Sequence, residues 1–118
     1  MSQEAILARI EAVIAQRRDE AVSGKKSYVA SLLEKGVPKI SEKIMEEAAE
    51  VVEAAGEPGS EGREHLVKEA ADLVFHLLVM LGHARIDFSD VEAELGKRFG
   101  IGGHEEKAAR QGPKKPND

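Results

Sequence analysis

The chain has 118 residues, 42% hydrophobic and 33% charged, which fits one globular domain with a core that is small for its size. A formal net charge of −5, with no basic patch interleaved with aromatics, weighs against nucleic acid as a partner. The absence of cysteine excludes disulfides and thiolate metal sites and makes a reducing cytoplasm the expected location.

At the N-terminus, Met1-Ser2-Gln3-Glu4-Ala5 carries neither a basic nor an apolar targeting region. From Gln3 to about Val22, Ile6, Leu7, Ile10, Val13 and Ile14 recur at three and four residues, which predicts an amphipathic helix ended by Gly24. A shorter helix from Lys25 to Lys35 carries Tyr28, Val29, Leu32 and Leu33 and stops at Gly36-Val37-Pro38. Pro38 opens a third helix that runs to Ala55. Gly56 to Gly62 reads as a turn, with Ser60 positioned to cap a fourth helix from Glu61 to Ala84. Ser89-Asp90-Val91-Glu92 matches the Ser-x-x-Glu capping box and predicts a fifth helix ending near Phe99. Glycines from Gly100 to Gly103 break it, Glu105 to Arg110 suggests one more helical turn, and residues 111–118 read as a disordered tail. Residues 1–110 then form a single all-α domain, in keeping with plentiful Ala, Glu, Leu, Val and Lys.

From Leu73 to Leu81 the fourth helix is apolar around most of its circumference, so one hairpin partner cannot cover it. His76 interrupts this stretch, which is too short to span a bilayer. Short connections make the third and fourth helices antiparallel neighbours. Two such hairpins paired across a two-fold axis give a four-helix bundle core shared by a homodimer, with the other helices outside.

Acidic residues recur on these two helices as Glu46-Glu47-Ala48-Ala49-Glu50 and Glu69-Ala70-Ala71-Asp72. At 100° per residue, Glu47 and Glu50 lie about 60° apart, and so do Glu69 and Asp72, so facing helices can present four carboxylates inward. A solvated face paired with Lys39 and Lys43 explains Glu46, Glu50 and Glu53. It explains Glu47 poorly, at the edge of the arc of Ile40, Ile44, Ala48 and Val51. Glu69 and Asp72 fit it worse, on a narrow stripe with His65, His76 and His83. Hard oxygen ligands suit Mg²⁺, which in turn suggests phosphate chemistry. Since Mg²⁺ seldom takes imidazole, His76 is expected as a hydrogen-bond partner of Asp72 or a satisfied core histidine. Tyr28, at helical spacing with Leu32, reads as core, with contact to a base as the alternative. Gly24-Lys25-Lys26-Ser27 lacks the remaining glycine of a phosphate loop and reads as a helix boundary.

The Glu46-Glu47-x-x-Glu50 and Glu69-x-x-Asp72 pair resembles the signature of the all-α nucleoside triphosphate pyrophosphatases, the MazG-type superfamily, whose acids bind Mg²⁺. More narrowly, three stretches resemble the phosphoribosyl-ATP pyrophosphatase family of histidine biosynthesis. They are Ser27-Tyr28-Val29-Ala30-Ser31-Leu32-Leu33, the stretch from Lys39 to Val52, and Glu69-Ala70-Ala71-Asp72-Leu73-x-Phe75-His76-Leu77-Leu78-Val79. Phe75 stands where tyrosine is expected and Met45 where glycine is common; neither change touches the acids. The resemblance implies Mg²⁺-dependent hydrolysis of a small nucleotide, phosphoribosyl-ATP, to phosphoribosyl-AMP and pyrophosphate. It gives Glu47, Glu50, Glu69 and Asp72 to the metal, with Glu46 joining Glu47 as a catalytic acid, either through a second, water-bound ion or by orienting the nucleophile. Lys39 and Lys43 then either meet phosphate oxygens or serve as plain i,i+4 partners. Two other functions use the same residues: a housecleaning pyrophosphatase of the same superfamily, and a non-catalytic helical dimerisation module.

Overall fold

The computed structural model describes residues 6–23 and 27–101, and the described residues form five helices and no strand, as the composition predicts. The helices are α1 (Ile6–Ser23), α2 (Tyr28–Lys35), α3 (Val37–Ala55), α4 (Gly59–His83) and α5 (Phe88–Phe99). They divide into two units: α1 to α4 belong to the one ending at Ile86, and α5 belongs to the one beginning at Asp87. The predicted start of α1 at Gln3, the Gly24-Lys25-Lys26 boundary, the turn at Glu105 to Arg110 and the tail at 111–118 lie outside the described residues.

Local chemistry sets the helix ends. Ser27 is extended, and its Oγ accepts the Ala30 N–H at 3.0 Å. This N-cap starts α2 at Tyr28, three residues later than expected. At Gly36 the backbone takes φ +80°, a region that favours glycine, and its N–H donates to the Leu32 carbonyl at 2.9 Å. One residue therefore separates α2 from α3, with Pro38 in the first turn of α3.

Helix α4 begins at Gly59, not at Glu61, and Pro58 rather than Ser60 takes the cap position. The cause is Gly62, whose N–H donates to the Pro58 carbonyl at 3.3 Å while the Glu57 carbonyl closes over its bare Cα. At the other end, Ile86 N–H reaches the Leu81 carbonyl at 2.9 Å and Arg85 N–H reaches that of Gly82 at 3.0 Å, a Schellman closure with Arg85 at φ +60°. Helix α5 also starts earlier than predicted, with Asp87 as its cap and Asp90 N–H bonded to the Asp87 carbonyl at 2.9 Å. That places Ser89 inside the helix, so the Ser-x-x-Glu box does not form there.

The first unit is organised on the α3–α4 hairpin, against which α2 packs, while α1 lies on α2 and α4. Ile14, Ile40, Leu78 and Val79 are its most completely buried large side chains, joined by Ala30, Leu32, Leu33 and Ala54. Each Ile, Leu or Val among them contributes about 1.5–3 kcal/mol of burial. Gly82 lets α1 approach α4 closely, since a Cβ there would stand 2.6 Å from Ile14 Cγ2, and the Gly82 carbonyl accepts from Arg18 Nη1 at 2.5 Å. The apolar stripe predicted for α1 is buried only in part, with Ile14 inside and Ile6 and Val13 exposed. Met45 and Val52 on α3, and Val67 and Val74 on α4, also remain exposed, seven residues apart in each helix.

Candidate active site

The hairpin that carries the core also brings the acids together. Glu47 on α3 and Glu69 and Asp72 on α4 present carboxylate oxygens that all lie within 4.8 Å of one another. Glu47 and Glu69 are half-buried, whereas Asp72 is exposed. Desolvation pushes the Glu47 carboxyl up to about 7, helped by a hydrogen bond to Glu69 and by the charges of Asp72 and Glu69, with Lys43 pulling the other way. A divalent cation fits this donor set. Three hard oxygens converge, and the group that resists ionisation alone would be favoured as an anion beside a cation.

Glu50 is drawn into a neighbouring group with His65 and Glu69, again within 4.8 Å, so Glu69 belongs to both. His65 Nδ1 lies 2.9 Å from Glu57 Oε1, and its Nε2 lies 3.3 Å from Glu69 Oε2. The Glu57 hydrogen bond is the main reason that the His65 pKa is raised. On the outer face of α3, Lys39 pairs with Glu42 at 2.7 Å and Lys43 with Glu46 at 3.2 Å, at i,i+3 rather than i,i+4 spacing. Lys43 is held charged first by its bond to Glu46 and next by Tyr28.

His76 is buried and satisfied. Its Nδ1 lies 2.9 Å from the Asp72 backbone carbonyl, not the carboxylate, and its Nε2 lies 2.9 Å from Tyr28 Oη. Tyr28 departs from the core reading, being 52% exposed at the first position of α2.

The family model described as phosphoribosyl-ATP pyrophosphohydrolase matches residues 7–99, which include every acid and lysine just placed. The chain belongs to the phosphoribosyl-ATP pyrophosphohydrolase family. Curated relatives named phosphoribosyl-ATP pyrophosphatase include one from Hydrogenovibrio crunogenus, 46% identical over 89% of this chain and 92% of its own length. One from Geobacter metallireducens is 50% identical over the same shares, and one from Geobacter sulfurreducens is 55% identical over 71% of this chain and 75% of its own length.

Within this pyrophosphohydrolase frame, the sequence pattern put Glu47, Glu50, Glu69 and Asp72 in one metal set; the structure brings Glu47, Glu69 and Asp72 together and draws Glu50 into the neighbouring group with His65 and Glu69. The pattern passed over Glu57 and gave His65 no part. The i,i+4 spacing of His65 and Glu69 was a visible signal for one contact. Glu57 carried none, because its position depends on how the turn folds back over Gly62.

Proposed function

We propose that the chain catalyses Mg²⁺-dependent hydrolysis of phosphoribosyl-ATP between the α and β phosphates, giving phosphoribosyl-AMP and pyrophosphate in histidine biosynthesis. The observation that carries this reading is the convergence of Glu47, Glu69 and Asp72, with the Glu47 carboxyl raised to about 7.

Glu47, Glu69 and Asp72 would hold the cation, with Glu50 adjoining through Glu69. When bound, Mg²⁺ neutralises triphosphate charge and favours departure of the leaving phosphate. Lys39 and Lys43 are ready cations on the exposed side of α3, and each can exchange its glutamate for a phosphate oxygen. That exchange frees Glu46, which then orients the attacking water and takes its proton. The water oxygen bonds to phosphorus as the bridging P–O bond breaks, and the departing phosphate leaves with the electron pair.

The cation dependence and the substrate are tested together by measuring pyrophosphate release with and without chelator. Release from phosphoribosyl-ATP should require Mg²⁺ and exceed that from deoxynucleoside triphosphates. Faster cleavage of the latter would instead favour a housecleaning pyrophosphatase.

A homodimer is part of the same reading. The exposed pairs Met45 and Val52 on α3 and Val67 and Val74 on α4 support it, since a second hairpin would cover them. Sedimentation should give a dimer at micromolar concentration, and a folded monomer would contradict it. No helix among the described residues is long and apolar enough to cross a membrane. The cytoplasm is proposed as the location on the lack of cysteine and the nucleotide substrate.

A further inference from the structure

Tyr28 is exposed yet held at several points. Its Oη lies 2.9 Å from His76 Nε2, and its ring lies nearly parallel to that of Phe75, at 22° with centroids 6.5 Å apart. It also meets the His76 ring edge-on, at 86° and 6.0 Å. The hydrogen bonds have one polarity. The Asp72 carbonyl can only accept, so His76 Nδ1 carries the proton; in the neutral ring Nε2 is then the acceptor, and Tyr28 donates. A phenol fixed in this way has little rotamer freedom left to lose, so a ligand contact on its exposed face costs little ordering.

Its place is equally defined. Through His76, Tyr28 is tied to the backbone of Asp72, a member of the acidic trio on α4. Toward α3 it lies within electrostatic reach of Lys43. The chain has one tyrosine, three phenylalanines and no tryptophan, and Phe88 and Phe99 belong to α5 in the other unit. Tyr28 and Phe75 are therefore the only benzene-ring faces that α1 to α4 can offer to a base, beside the smaller imidazoles of α4. Once the acids take a triphosphate, its nucleoside end gains from such a face, because a broad apolar ring stacks on a base.

We propose that Tyr28, backed by Phe75 and locked by His76, stacks on the purine base of the substrate and so selects a nucleotide over a bare polyphosphate. The proposal rests on the pyrophosphatase reading of the acidic site for the position of the phosphates.

With one tyrosine and no tryptophan, the intrinsic fluorescence of the whole protein reports on Tyr28 alone. The probes are α,β-methylene ATP and inorganic tripolyphosphate, each titrated with Mg²⁺ present. The ATP analogue should quench the emission and tripolyphosphate should leave it nearly unchanged. By calorimetry, Tyr28→Leu should weaken the analogue about tenfold without altering tripolyphosphate affinity, whereas Tyr28→Phe, which keeps the ring, should stay within about threefold of the parent. Equal quenching by both probes would overturn the proposal. So would parental affinity in Tyr28→Leu, or a loss in Tyr28→Phe as large as in Tyr28→Leu. Because the methylene bridge of the analogue resists cleavage, a failure of phosphoribosyl-ATP hydrolysis would be seen separately from its binding, in the pyrophosphate assay.

Discussion

Glu47 on α3 and Glu69 on α4 bring carboxylate oxygens within 4.8 Å of each other, and Asp72 completes the trio. Desolvation and the neighbouring acids raise the Glu47 pKa to about 7, so this carboxyl keeps a proton near neutrality. A carboxyl whose folded pKa lies above its unfolded value stabilises the fold below the unfolded pKa of 4.5, and that contribution is lost as pH rises through about 7. On the proposed assignment, Mg²⁺ would have to displace the same proton. Its apparent affinity should fall by up to about tenfold per pH unit below 7, and binding should release protons there. Calorimetry in buffers of different ionisation enthalpy would measure that release; none at pH 6.5 would contradict the assignment.

Replacing Glu47 with Gln separates catalysis from stability. Glu47→Gln should lower turnover by about a hundredfold or more, as expected when a cation loses a direct ligand. In chelator at pH 8, the variant should melt no lower than the parent, because it removes a carboxylate that its neighbours disfavour. Mg²⁺ should then raise the melting temperature of the parent and not that of the variant. Unchanged turnover would take Glu47 out of the cation site, whereas a parent protein with no turnover at all would support a helical dimerisation module.

Glu69 belongs to both acidic groups and Glu50 to one. Glu69→Gln should therefore weaken Mg²⁺ more than Glu50→Gln, by about tenfold on the scale of outer against direct ligands. Equal losses, read by Mg²⁺ titration of activity, would put both acids in the same coordination shell.

What the sequence disclosed depended on whether a feature repeats. The 3.6-residue period placed α1, α3 and α4 and the shared face of Glu47, Glu69 and Asp72, because each helical residue fixes the direction of the next. Single contacts between distant residues have no such period. The start of α4 at Gly59 depends on a carbonyl closing over Gly62, and the cap of α5 was misplaced because Asp87, two residues upstream of Ser89, took the role. Tyr28 looked like core by its spacing to Leu32, yet its hydroxyl has a buried acceptor 48 residues away in His76, which holds the ring at the surface.

Lys43 and Glu46 form an exposed ion pair at 3.2 Å, so each has a structural explanation as well as a catalytic one. Exchanging them, Lys43→Glu with Glu46→Lys, preserves the pair and reverses its direction. Exposed pairs of this kind contribute little to stability, so the melting temperature should stay within a few degrees of the parent. Activity should nonetheless drop by about tenfold or more, because a phosphate oxygen would meet a carboxylate where an ammonium stood. Full activity in the exchanged protein would reduce both residues to surface partners.

Gly62 gives the clearest stability test. A Cβ at this position would lie 2.3 Å from the Glu57 carbonyl oxygen and 2.7 Å from its carbon, both backbone atoms that cannot swing aside. Alanine gains about 1 kcal/mol in helix propensity, against about 1–3 kcal/mol for forced repacking. Gly62→Ala should therefore be destabilising by about 1 kcal/mol in urea unfolding, although the change is from glycine to the best helix former. The displaced turn also moves Glu57, which holds His65 at 2.9 Å and is the first cause of its raised pKa. In the parent, this histidine favours the folded state below its unfolded pKa, and that contribution fades as pH rises through the folded value. In the variant, His65 should titrate closer to its ordinary 6.5, as followed by its ring resonances, and the accompanying pH dependence of stability should flatten. A variant that is as stable as the parent, with His65 unmoved, would mean that the Glu57 carbonyl is not held against Gly62.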